Sequence, residues 1–91
     1  MSITSQYRPS KRPSVKQVSQ WIIDFEDNIE DWRGRSIWVV VQNGHPFPDF
    51  YRVTYSIDGI KKSKLFYGES AWNDTERFVY DLGFSNVLGR I

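Results

Sequence analysis

The sequence predicts a single small α+β domain: a helix, a three-stranded antiparallel sheet and a second helix, with both helices on one sheet face. Three observations lead there. Apolar residues between Val15 and Trp32 recur at helical spacing, residues 36–67 hold three β-branched or aromatic runs separated by turn signals, and residues 70–83 repeat the helical pattern before a glycine.

The first helix is expected to open at Ser14, preceded by Pro13 and followed three residues on by Gln17, the spacing of a capping box. Val15, Val18, Trp21, Ile22, Phe25, Ile29 and Trp32 then form one apolar stripe, and Gly34 is the expected stop. Asp24, Glu26, Asp27, Glu30 and Asp31 fall in the second half of this helix, where the macrodipole disfavours them. Such a local cost hints at a partner.

Ser36 to Gln42 reads as a strand with burial on both faces or a central position, and Gly44 to Asp49, with two prolines, reads as a loop. Further strands are expected over Phe50–Ser56 and Ile60–Tyr67, with Asp58–Gly59 between them. A two-residue Asp-Gly loop would oppose Val53 to Lys64 and Tyr55 to Lys62, setting two lysines on the apolar face. A three-residue loop with Gly59 in a G1 bulge opposes Arg52 to Lys64 and Thr54 to Lys62 instead, and sorts the sheet into an apolar face (Tyr51, Val53, Tyr55, Leu65, Tyr67) and a cationic one (Arg52, Lys62, Lys64). The sorted register is the expectation.

The last helix should start near Ser70 or Asn73, bury Trp72, Thr75, Phe78, Val79 and Leu82, and stop at Gly83 with Phe84 packed back on Val79. Residues 1–13 read as a flexible basic arm and residues 14–91 as the domain.

This order resembles the double-stranded-RNA-binding domain. Its marks are a Pro opening the first helix, the stretch NGHPFPDF, similar to that family's Gly-Pro-x-His-x-x-x-Phe loop, the strand-turn FYRVTYSIDG, and the spacing from Gly68 through Ser70 to Leu82. The resemblance covers about residues 13–83 and implies that fold and binding to duplex RNA. Where the family grips phosphate with a Gly-x-Ser-Lys-Lys-x-x-Ala-Lys stretch, this chain carries GESAWNDTE, without a lysine.

Composition narrows the chemistry. The chain has 91 residues, no Cys, one His and a net charge of +1. It therefore lacks a thiol nucleophile, a disulfide framework and any Cys-based metal site. His45 stands alone in a Pro-rich loop, no Gly-rich phosphate loop is present, and no His/Asp/Glu group has metal-ligand spacing, so neither an enzyme nor a cofactor is expected. The longest apolar run, Ile37 to Val41, is far below the roughly 20 residues that span a bilayer, and no signal-peptide pattern is visible, so a soluble cytoplasmic protein is the expectation.

Two binding surfaces are candidates. The first choice is a non-enzymatic protein-interaction module, an adaptor, accessory subunit or inhibitor of the phage or mobile-element kind, acting through Asp24, Asp27, Glu30, Asp31, Phe47 and Tyr80. The alternative is nucleic-acid binding through Arg8, Lys11, Arg12, His45, Arg52, Lys62 and Lys64. Neither a membrane nor a small-molecule substrate is indicated.

Overall fold

A computed structural model describes residues 12–84. It corrects the expected fold class: four antiparallel strands form one sheet, and a single helix follows them. The strands are β1 (Gln20–Glu30), β2 (Ser36–His45), β3 (Phe50–Ile57) and β4 (Ile60–Tyr67), in the spatial order β1-β2-β3-β4, and the helix is α1 (Ala71–Asp81). The expected arm, residues 1–13, lies outside the described residues except for its last two positions, as do residues 85–91.

The expected first helix is a strand. Its start signal does operate, since Ser14 Oγ accepts from Lys16 N at 3.1 Å and Ser14 N donates to Gln17 Oε1 at 2.9 Å. That box closes only one 3₁₀ turn, Val15–Gln17. The strand beyond it imitates a helix because β1 carries a bulge between Ile23 and Phe25. A bulge inserts one residue into a period of two, so Ile22, Phe25 and Ile29 fall on one face at steps of three and four with Asp27 between them. A strand also removes the dipole conflict, because no helix C-terminus opposes the acids.

β2 is central, as its composition suggests. Ile37, Val39 and Val41 are buried on the α1 side and Val40 on the other. It runs on to His45, whose carbonyl accepts from Ser19 N at 2.8 Å and from Ser19 Oγ at 3.2 Å, and the His45–Pro46 peptide bond is cis. Gly44 sits at a close approach: a Cβ there would lie 3.0 Å from Trp21 Cζ3 and from Val18 Cγ2.

The β3–β4 register is also corrected. Val53 pairs with Lys64 and Tyr55 with Lys62, closed by Ile57–Ile60. Asp58 and Gly59 both have positive φ, 51° and 86°, the signature of a two-residue type I′ turn, whose twist matches that of the strands it joins. Turn geometry outweighs charge sorting here because β4 is an edge strand. Its lysines need not be buried to share the apolar face: Lys64 lies over the rim of the core with Nζ 5.7 Å from the ring centroids of both Phe66 and Phe78, its head still exposed. Arg52 therefore faces away from Lys62 and Lys64, and the single cationic face does not form.

α1 lies over β3 and β4. Between helix and sheet sit Ile37, Val39, Val41, Val53, Val79 and Phe84, bordered by Phe25, Ile29, Tyr51, Tyr55, Phe66 and Phe78. Ser70 is the N-cap, and its hydroxyl donates to Asp74 Oδ2 at 3.0 Å. The C-terminus closes as the sequence suggests: Gly83 (φ 118°) donates to Tyr80 O, Phe84 N donates to Val79 O, and Phe84 is carried onto Phe25 with centroids 6.2 Å apart. Through Phe84, the chain after the helix covers the β1 side of the core. The opposite sheet face has no helix over it among the described residues.

Candidate interaction surfaces

Asp31 organises the β1–β2 turn. Its Oδ1 accepts from Arg33 N at 2.9 Å and Arg35 N at 2.8 Å, its Oδ2 pairs with Arg35 Nε at 2.8 Å, and its backbone N–H and carbonyl bond to Arg35 O and Gly34 N. Partial burial acts to raise the Asp31 carboxyl, but the hydrogen bonds from the Arg35 and Arg33 backbones and the Arg35 guanidinium outweigh it, holding the pKa below its ordinary value. Gly34 completes the turn at φ 81°. So constrained, the loop presents Trp32 at 85 % exposure, with the Arg33 guanidinium 4.6 Å from its ring centroid.

Trp32 is expected from its spacing to be a core residue, and the structure turns it outward. The signal that identifies it is the run Asp31-Trp32-Arg33-Gly34, an Asp at the first turn position and a Gly at the fourth.

The helix-free sheet face carries cation–aromatic pairs. Arg52 Cζ lies 4.2 Å over Trp21, and its Nε and Nη2 donate to Gln42 Oε1 at 3.2 and 3.0 Å. Trp21 in turn covers Phe50, with centroids 5.5 Å apart. Trp38 Nε1 donates to Glu26 Oε2 at 3.0 Å, while Lys61 reaches past Ser56 to place Nζ 5.6 Å from the Trp38 ring.

The acidic and aromatic residues expected to act together are divided. Asp24 sits in the bulge, its carboxyl pushed upward by burial; Asp27 is exposed on the α1 side of β1, Glu30 ends the strand on the other side, and Asp31 is held within the turn. Asp24 and Asp49 act on Tyr51, whose hydroxyl is raised by burial first and by these two charges second. Phe47 packs edge-on against Phe50 with centroids 6.0 Å apart, and Tyr80 is exposed on α1. Asp24, Asp27 and Glu30 share the edge strand β1 but not one face of it.

Of the cationic set, Arg8 and Lys11 lie outside the described residues. Arg12 stacks over Tyr67 at 5.5 Å, His45 is exposed at the end of β2, and Arg52 is separated by the sheet from Lys62 and Lys64. Among the described residues, no group of three or more His, Cys, Asp or Glu is placed to hold a metal ion, and no helix is long and apolar enough to cross a membrane. No protein-family model, curated protein or solved structure matches the chain.

Proposed function

We propose that this protein is a non-enzymatic protein-interaction module that docks through its β1–β2 turn, with Trp32 as the buried anchor of the complex and Arg33 beside it. The observation that supports this is the pairing of an outward-facing tryptophan with a turn braced by the hydrogen bonds of Asp31. Trp and Arg are the residue types that most often carry interface energy, and a loop constrained before binding loses little entropy on docking. A large apolar ring held in water by a built turn has no folding role that accounts for it. Adaptor, accessory subunit and inhibitor all fit this reading.

Affinity capture from the native host with the wild-type chain and with W32A tests it. The expected result is a stoichiometric protein recovered by the wild type and lost by W32A, at unchanged circular dichroism. Equal recovery by both variants would refute the docking turn. Retardation of duplex RNA, single-stranded RNA or DNA that weakens steeply with salt would move the reading to nucleic acid.

A further inference from the structure

The two edges of the sheet carry opposite charge. β1 contains Asp24, Glu26, Asp27 and Glu30 and no base, whereas β4 contains Lys61, Lys62 and Lys64 and no acid. The inner strands contribute only Arg52 as a formal charge. We infer that these edges recognise each other between molecules, the β1 edge of one copy adding to the β4 edge of the next to continue the sheet.

The directions suit this. Strands alternate in direction across the order β1-β2-β3-β4, so a copy shifted sideways sets its β4 antiparallel to the first copy's β1 with the α1-covered faces on the same side. Faces must match, which restricts the register to steps of two residues. In one such register Asp27 opposes Lys64 on the α1 side and Glu30 opposes Lys61 on the other, while Phe25 meets Phe66 and Asn28 meets Ser63. A shift of two residues either way leaves one acid–lysine pair or none.

A second observation agrees with the same register. If Asp24 is passed over here as it is in the ladder with β2, Ile23 comes opposite Tyr67, and these are exposed apolar residues of the two edges, 55 % and 41 % accessible. A two-fold pairing of like edges would instead set acids against acids or lysines against lysines, which destabilises a ladder. The contact is head-to-tail, so it propagates into a linear array or a closed ring.

The absence of Cys makes the test clean. In the double variant N28C/S63C the two positions lie on opposite edges of one sheet, three strand spacings or about 14 Å apart, beyond the roughly 7 Å Cα separation that a disulfide tolerates. Oxidation at low salt should therefore give a ladder of disulfide-linked multimers and no intramolecular bond. Sedimentation of the wild-type chain should show an average mass that rises with concentration and falls in about 1 M salt, where charges are screened within about 3 Å. K61E/K64E and D27K/E30K should each remain at the monomer mass of 10.8 kDa, and their equimolar mixture should assemble, which also shows that both variants are folded. A wild type that stays monomeric at every concentration without a cysteine ladder, or a mixture that fails to assemble, overturns the inference. W32A should assemble like the wild type, so loss of the partner and loss of self-association are separately readable.

Discussion

The Asp31 carboxylate holds Arg35 twice, once through the 2.8 Å contact of Oδ2 with the guanidinium Nε and once through the 2.8 Å hydrogen bond from the Arg35 backbone to Oδ1. The pairing with the guanidinium needs a carboxylate, and the hydrogen bond to Oδ1 is stronger for one. Because the folded-state pKa is depressed, their contribution is fully present above the unfolded value of about 3.9 and is lost as pH falls through the lower folded value. Asp31→Asn should therefore lower the thermal midpoint at neutral pH, and the gap from wild type should close on acidification. A gap independent of pH between neutrality and acid would show that the carboxylate is not what holds the turn.

Asp24 has the opposite sign. Burial raises its pKa, so the charged form is disfavoured in the folded chain, and protonation on acidification favours folding. Asp24→Asn should raise the thermal midpoint slightly at neutral pH, with the gain vanishing once pH drops below the unfolded value. The effect is small because water screens most of the side chain. Thermal melts across the acid range read it, and destabilisation at neutral pH would contradict the assignment.

Gly44→Ala should destabilise the domain by about 1–3 kcal/mol, because the new methyl meets the Trp21 ring and Val18 at 3.0 Å. For a domain of this size that corresponds to roughly 4–8 °C per kcal/mol. Trp21 fluorescence should shift as the ring is displaced from Phe50. An unchanged midpoint would mean that Trp21 does not rest on Gly44.

Thr75 is fully buried on the core side of α1, and its hydroxyl has no hydrogen-bond partner among the described residues. Thr75→Val exchanges that hydroxyl for a methyl of similar volume and removes an unmet desolvation cost of about 1 kcal/mol. The midpoint should rise by several degrees, and a fall would indicate that the hydroxyl is satisfied in solution.

Much of the fold is legible in the sequence where local signals agree. The buried strand at Ser36–Gln42, the hairpin strands and the final helix with its Gly83 stop all combine pattern, punctuation and capping. β1 is illegible for a specific reason: its bulge gives apolar residues helical spacing behind a true capping box. Acids misplaced for a helix dipole are the countersign. The β3–β4 register is misread when side-chain sorting is weighed above the Asp-Gly turn, because an edge lysine can reach solvent from either face. Trp32 is hidden by the same false stripe, since once β1 is a strand the run Asp31 to Gly34 becomes its turn.

The bulge at Asp24 also makes one strand serve two phases. Trp21 and Ile23 point to the helix-free face, and Phe25 and Ile29 point into the core. The extra residue acts as a frame between these halves, so its presence matters more than its identity. Substitutions at position 24 are absorbed, whereas a one-residue insertion or deletion anywhere from Ile22 to Phe25 inverts one half of the strand against the other. Sequence drift should thus be free in letter at position 24 and fixed in length across this stretch.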